Sequence, residues 1–149
     1  MKIALKYGLL ITLGLIAWVV VAHLLVPDPH SPVHSIGALV FFNLLEIAGI
    51  FLAINTKKTV SGNQLLFKSG IKTGMATAFV YVVTSCLFFL ITILTVGPQF
   101  MGSEPGAENL PVWKVAVGAF VGFGGFSLIF CLVYSTVISF FLAKRRSLS

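Results

Sequence analysis

Leu39 to Lys58 reads LVFFNLLEIAGIFLAINTKK, an apolar run of helix length carrying a single carboxylate, Glu46. Glu46 follows Ser35 by eleven residues and precedes Lys57 by eleven. At a helical rise of about 1.5 Å per residue it sits roughly 16 Å from either end, at the centre of a bilayer. An ionised carboxylate there costs at least about 2.5 kcal/mol on the most lenient insertion scale. The group is therefore expected to be protonated, hydrogen-bonded to a neighbouring helix, or turned toward water.

The rest of the chain has the same character. Of its 149 residues 58% are hydrophobic and 9% charged, far below the roughly 25% charge of soluble domains. This is the composition of an integral membrane protein whose first partner is the lipid bilayer. No polar stretch is long enough to fold separately, so residues 1–149 are expected to form one membrane domain. The net charge of +6 does not point to nucleic acid, because the basic residues flank apolar segments instead of forming a patch interleaved with aromatics. The two cysteines, Cys86 and Cys131, lie inside apolar runs with neither CxxC nor metal-ligand spacing and read as small buried side chains. Nothing calls for a cofactor.

Four spans follow from hydropathy, at about residues 3–26, 34–55, 70–96 and 112–143. The first opens with Lys2 and Lys6 and resembles a signal peptide, with Val20-Val21-Ala22 as a possible cleavage site. Its apolar run is longer than a signal core and continues through Leu24, Leu25 and Val26 without a polar region, so it is read as a spanning helix. Pro27, Asp28, Pro29 and Pro32 then form an extended turn. A connection from Thr56 to about Ser69 is expected between spans two and three. Its Val60-Ser-Gly-Asn-Gln is turn-like, and Leu65, Leu66 and Phe67 with Lys68 are placed in the interface as a short amphipathic turn. Gly97-Pro98 ends the third span, and Gln99 to Pro111 is a polar loop. The fourth span would measure about 48 Å as one helix, so it is expected to tilt, to bend near Gly122 to Gly125, or to project from the membrane. Orientation follows from the basic residues: nine of the ten, all but Lys114, fall on one side of this arrangement. The expected fold is an all-α, four-helix transmembrane bundle with both termini cytoplasmic.

Along the second span Ser35, Leu39, Asn43, Glu46, Gly49 and Ala53 share one stripe, a pattern that marks contact with other helices because lipid cannot satisfy polar atoms. The third span carries a small-residue stripe, Gly70, Gly74 and Ala78, beside a second one of Thr73, Thr77, Tyr81, Thr84, Phe88, Thr92 and Thr95. The fourth carries Gly118 and Gly122, followed by Ser127, Cys131, Ser135 and Ser139. These glycine pairs are expected to pack within the chain or, as the alternative, to form a face for a homo-oligomer or another membrane protein. Counting depth from each basic anchor brings Trp18, Thr84, Ser85, Tyr134 and Ser135 to the level of Glu46. The expected intramembrane polar site is Glu46 capped by some of these five, with Asn43 one turn away.

Two functional readings attach to Glu46. In one it is a proton or cation site in a transport pathway; in the other it is a carboxyl that glues helices together. No second acid or base within the spans completes a relay. His23, His30 and His34 with Asp28 could approach a metal, but Pro32 interrupts a regular helix there, and solvated loop histidines are the default, with no metal expected. One aspartate and three glutamates cannot build the acid clusters of membrane transferases. Gly125-Phe126-Ser127-Leu128 lacks the second glycine of a nucleophile elbow, and no phosphate-binding or dinucleotide fingerprint occurs, so no catalytic residue is expected and the chain is not read as an enzyme.

Several short motifs carry a resemblance: Lys6-Tyr7-Gly8, Ile50-Phe51-Leu52-Ala53-Ile54, Phe67-Lys68-Ser69-Gly70-Ile71-Lys72-Thr73-Gly74 and Pro98-Gln99-Phe100. Over roughly the first hundred residues the chain resembles a family of small bacterial four-span membrane proteins of unknown function. That resemblance implies a four-span topology and a bacterial inner (cytoplasmic) membrane, and no activity. The chain is thus expected to be a non-catalytic packing or interaction module, with a proton-coupled small transporter or channel centred on Glu46 as the alternative.

Overall fold

The run that carries Glu46 is helical over Pro32–Val60 (α2), well past the apolar stretch at its C-terminal end. The computed structural model describes residues 2–25, 32–97 and 111–143, and the side chains of residues 32–35 and 119 lie outside the description. The other helices are α1 (Lys2–Leu25), α3 (Phe67–Thr95), α4 (Val112–Ala119) and α5 (Gly125–Leu142), with a π-helical turn at Phe120–Gly124 joining the last two. Among the described residues there is no strand, and the segments Lys2–Leu25, Ile36–Val60, Phe67–Thr95 and Val112–Leu142 are each long and apolar enough to cross a membrane. The chain is an all-α, multi-pass membrane bundle.

Two details of the second connection differ from the expectation. Helix α2 does not stop at Asn55; Thr56, Lys57 and Lys58 remain helical, and the connection shrinks to residues 61–66. The lysines end the hydropathic run but favour the helix itself, because cations stabilise a C-terminal turn. Thr56 Oγ1 also pairs with the Tyr7 hydroxyl at 2.8 Å, which fastens this turn to α1. Leu65, expected in the interface, is only 1% exposed and packs with Ile50 and Ile54. The tight turn at Gly62 (φ 64°) and Asn63 (φ 62°) folds it back under the bundle.

Helix α3 ends as the sequence predicts. Gly97 takes φ 103°, open to glycine at no steric cost, and its N–H reaches Ile93 O at 3.2 Å, a left-handed cap that satisfies a terminal carbonyl. The long fourth span meets the expected irregularity near Gly122 to Gly125 with the π turn, where an extra residue per turn loosens the ladder. The polar loop from Gln99, the basic cluster Lys144, Arg145 and Arg146, and the turn around Asp28 and His30 lie outside the described residues.

Packing follows from pairs of residues. Gly14 abuts Leu45 and Gly49 abuts Ile11, so α1 and α2 run antiparallel. Gly8 abuts Val80, and Thr12 bonds Thr84, so α1 and α3 run parallel. Gly70 faces Ser139 and Gly74 faces Ser135, which makes α3 and α5 antiparallel. Helices α2 and α3 touch each other and both flanking helices, so they form the inner pair of the bundle. Two buried clusters fill it: Ile11, Leu15, Tyr81, Val82 and Cys86 in one, and Ile50, Ile54, Leu65, Ala78 and Cys131 in the other. The periphery is apolar, with Leu13, Leu44, Phe79, Ile91 and Phe126 all exposed, as befits a surface solvated by lipid.

The three stripes divide by what they touch. On α2, Glu46, Gly49 and Ala53 are buried, but Leu39 turns outward and is 62% exposed. The hydroxyls of Thr73, Thr77, Thr84, Thr92 and Thr95 on α3 each donate to the carbonyl four residues back, so they are satisfied without leaving the helix. The α3 glycines pack against α5. Among the described residues nothing packs on Gly118 or Gly122: none lies within 4 Å of where a Cβ would stand. Gly118 is exposed and Gly122 half-buried, whereas Gly124, at the end of the π turn, is buried against Val82.

Candidate functional site

Glu46 stands where the two clusters meet. It is 4% exposed, one turn before Gly49 and Ile50, and its Oε1 accepts the Ser127 hydroxyl of α5 at 3.0 Å. Tyr81 of α3 and Cys131 of α5 lie close to the same carboxyl group. One hydrogen-bonded hydroxyl and two further neutral polar side chains, from two neighbouring helices, thus border one acid. The nearest basic residue along α2, Lys57, is eleven positions away. Such a setting replaces water around the carboxyl group with fixed protein dipoles.

Toward the start of α2, the Tyr134 hydroxyl donates to Asn43 Oδ1, while Asn43 Nδ2 donates to Leu39 O at 2.7 Å. Asn43 therefore uses both ends of its amide, one on its own helix and one on α5. A separate network joins α1 and α3: Thr12 Oγ1 meets Thr84 Oγ1 and, at 3.4 Å, Ser85 Oγ, and it also donates to Gly8 O at 3.1 Å.

The site assembled here is not the one that depth counting gave. Asn43, three residues before Glu46, pairs with Tyr134 across the same α2 and α5 interface that the Ser127 bond spans. Thr84 and Ser85 turn to α1 and bond Thr12. Trp18 stacks on Phe41 at 4.4 Å between ring centroids, and its buried indole nitrogen has no hydrogen-bond partner among the described residues. Ser135, fully buried, faces Gly74, and its hydroxyl likewise finds no partner among them. The hydrogen bond to Glu46 comes instead from Ser127, supported by Tyr81 and Cys131. Counting from an anchor fixes height but neither the azimuth of a side chain nor the register of one helix on another. The register is visible in the sequence only as periodicity: Ser127, Cys131, Ser135 and Ser139 recur every four residues, and the structure buries all four. Among the expected packing residues, Gly70, Gly74 and Ala78 lie in the α3 and α5 interface, where a side chain on either glycine would collide with Ser139 or Ser135. Of the histidines expected near Asp28, His23 lies at the end of α1, and His30 and the His34 side chain lie outside the described residues.

A family model described as a protein of unknown function (DUF4199) matches residues 6–103. The match takes in α1, α2 and α3, hence Glu46 and Tyr81, and ends before α4 and α5, which supply Ser127 and Cys131. No curated protein and no solved structure matches the chain.

Proposed function

Because the chain belongs to the DUF4199 family, whose description assigns no activity, we propose a function from its own site: a non-catalytic membrane module held in shape by a buried carboxyl group. The observation that carries this reading is the enclosure of Glu46, 4% exposed and bonded to Ser127 across two helices. A carboxyl hydrogen-bonded to α5 and bordered by Tyr81 of α3 holds three helices in one register. The module meets its partner, a second copy or another membrane protein, through the outer face of α4 and the π turn, where Gly118 and Gly122 leave the backbone open to close approach. Both termini lie on the cytoplasmic side of a bacterial inner membrane, since Lys2, Lys6, Lys57, Lys58, Lys68 and Lys72 share one end of the bundle and Lys114 lies at the other.

A second reading, proton-coupled transport through Glu46, has one observation in its favour. The π turn at Phe120–Gly124 immediately precedes α5 and its Ser127, and such turns recur where helices move at working sites. One substitution separates the two. Glu46→Gln keeps a hydrogen-bonding acceptor of nearly equal shape. Under the structural reading the variant folds and assembles like the parent, and neither form moves protons across reconstituted vesicles. Proton flux in the parent that the variant loses would overturn it in favour of transport.

A further inference from the structure

The lysine-bearing end of the bundle contains a feature that the buried carboxyl does not use. Between the first turns of α1 and α3 lies a groove of about 970 Å³, at the upper end of the range for small-molecule sites. Its rim carries Lys2, Lys57 and Lys72, one from each of three helices, together with Ser69. Its walls are apolar, with Leu5 on one side and Ala76 and Phe79 on the other. Leu5 and Phe79 are 54% and 62% exposed.

Charge and shape select the occupant. Glu46 is the sole acid among the described residues, and it lies eleven positions from Lys57, so no acidic side chain of these helix ends neutralises the three ammonium groups. What fits is a molecule with an anionic head and an apolar tail, presented from the side by the bilayer itself. Long lysine stems lie along apolar surface while their ammonium groups reach the interface, the geometry in which cations meet phosphate.

We propose that this groove is a binding site for one anionic phospholipid, its phosphate held by Lys2, Lys57 and Lys72 and an acyl chain laid along Leu5, Ala76 and Phe79. The assignment goes beyond the structural role of Glu46 and does not depend on it. The test uses the full chain reconstituted in phosphatidylcholine vesicles, with spin-labelled phosphatidylglycerol and spin-labelled phosphatidylcholine as probes of lipid held at the protein. The labelled phosphatidylglycerol is preferentially immobilised, and Lys57→Gln or Lys72→Gln each weakens that preference about fivefold, the effect of one lysine near an anionic head. Lys114→Gln, at the other end of the bundle, leaves it unchanged. Ala76→Trp keeps every charge and fills the groove, so it reduces the preference to the phosphatidylcholine level; Leu5→Trp replaces it if that variant does not fold. Equal immobilisation of the two lipids would overturn the site. So would a preference that survives both groove-filling variants, which marks diffuse surface charge, or displacement of the label by inorganic phosphate, which marks a soluble anion.

Discussion

Ser127 donates its hydroxyl to Glu46 Oε1 at 3.0 Å, joining two helices across 81 positions of sequence. Removing the donor leaves a buried acceptor unpaired, and removing both partners does not, so the two substitutions should not add. In a double-mutant cycle of Ser127→Ala with Glu46→Leu, the coupling is expected near about 0.6 kcal/mol and not above about 1.7 kcal/mol, the mean and the maximum for interhelical bonds in a membrane bundle. Reversible detergent unfolding measures it. Strict additivity would mean that the bond contributes nothing to the register of α2 and α5.

The glycine pairs of α3 and α4 make opposite predictions. A Cβ on Gly74 would press on the Ser135 side chain, 2.7 Å from its Cβ, with Ile54 Cδ1 at 3.2 Å, whereas one on Gly118 meets nothing. Gly74→Ala is expected to cost about 1 to 3 kcal/mol through overpacking. Gly118→Ala and Gly122→Ala should instead stabilise the monomer by up to about 1 kcal/mol through helix propensity. If the outer face of α4 meets a second copy, Gly118→Leu weakens self-association in cross-linking while the monomer unfolds no more easily than the parent.

How far the sequence reaches is visible in those same residues. Four apolar spans and the all-helical class rest on composition within a window, and the helices end within a few residues of the expected bounds except at Lys57 and Lys58. There hydropathy and helicity part company, since a lysine ends an apolar run without ending a helix. Gly70 with Gly74 and Gly118 with Gly122 are the same motif to any local reading, and only the path of the chain decides which pair meets α5. The sequence shows Ser127 as one of a four-residue series, but its meeting with Glu46 depends on how α5 sits against α2 and α3, including the Gly74 and Ser135 contact. Long-range register has no signature in a single span.

The connection between α2 and α3 depends on two left-handed residues, Gly62 and Asn63. Asparagine tolerates that conformation through its short polar side chain, and alanine does not. Gly62→Ala is expected to destabilise by about 1 to 2 kcal/mol, although nothing lies within 4 Å of the added methyl group. Asn63→Gly should be nearly neutral. The same unfolding assay checks both, and an unperturbed Gly62→Ala would show that the turn relaxes without loss to the Leu65 packing beneath it.

The turn also reports the orientation of the bundle. Its Gln64 is exposed, and so is Lys114 at the opposite end, while the native Cys86 and Cys131 are both buried, so a single introduced thiol dominates labelling. In intact spheroplasts a membrane-impermeant maleimide should modify Lys114→Cys and spare Gln64→Cys until the membrane is permeabilised. The physical ground is the bias of lysines toward the cytoplasmic side, which acts on short loops such as residues 61–66. Modification of Gln64→Cys in intact spheroplasts, with Lys114→Cys protected, would reverse the topology. It would also place the lysine-lined groove in the outer leaflet, where the proposed lipid would have to be drawn from a different pool.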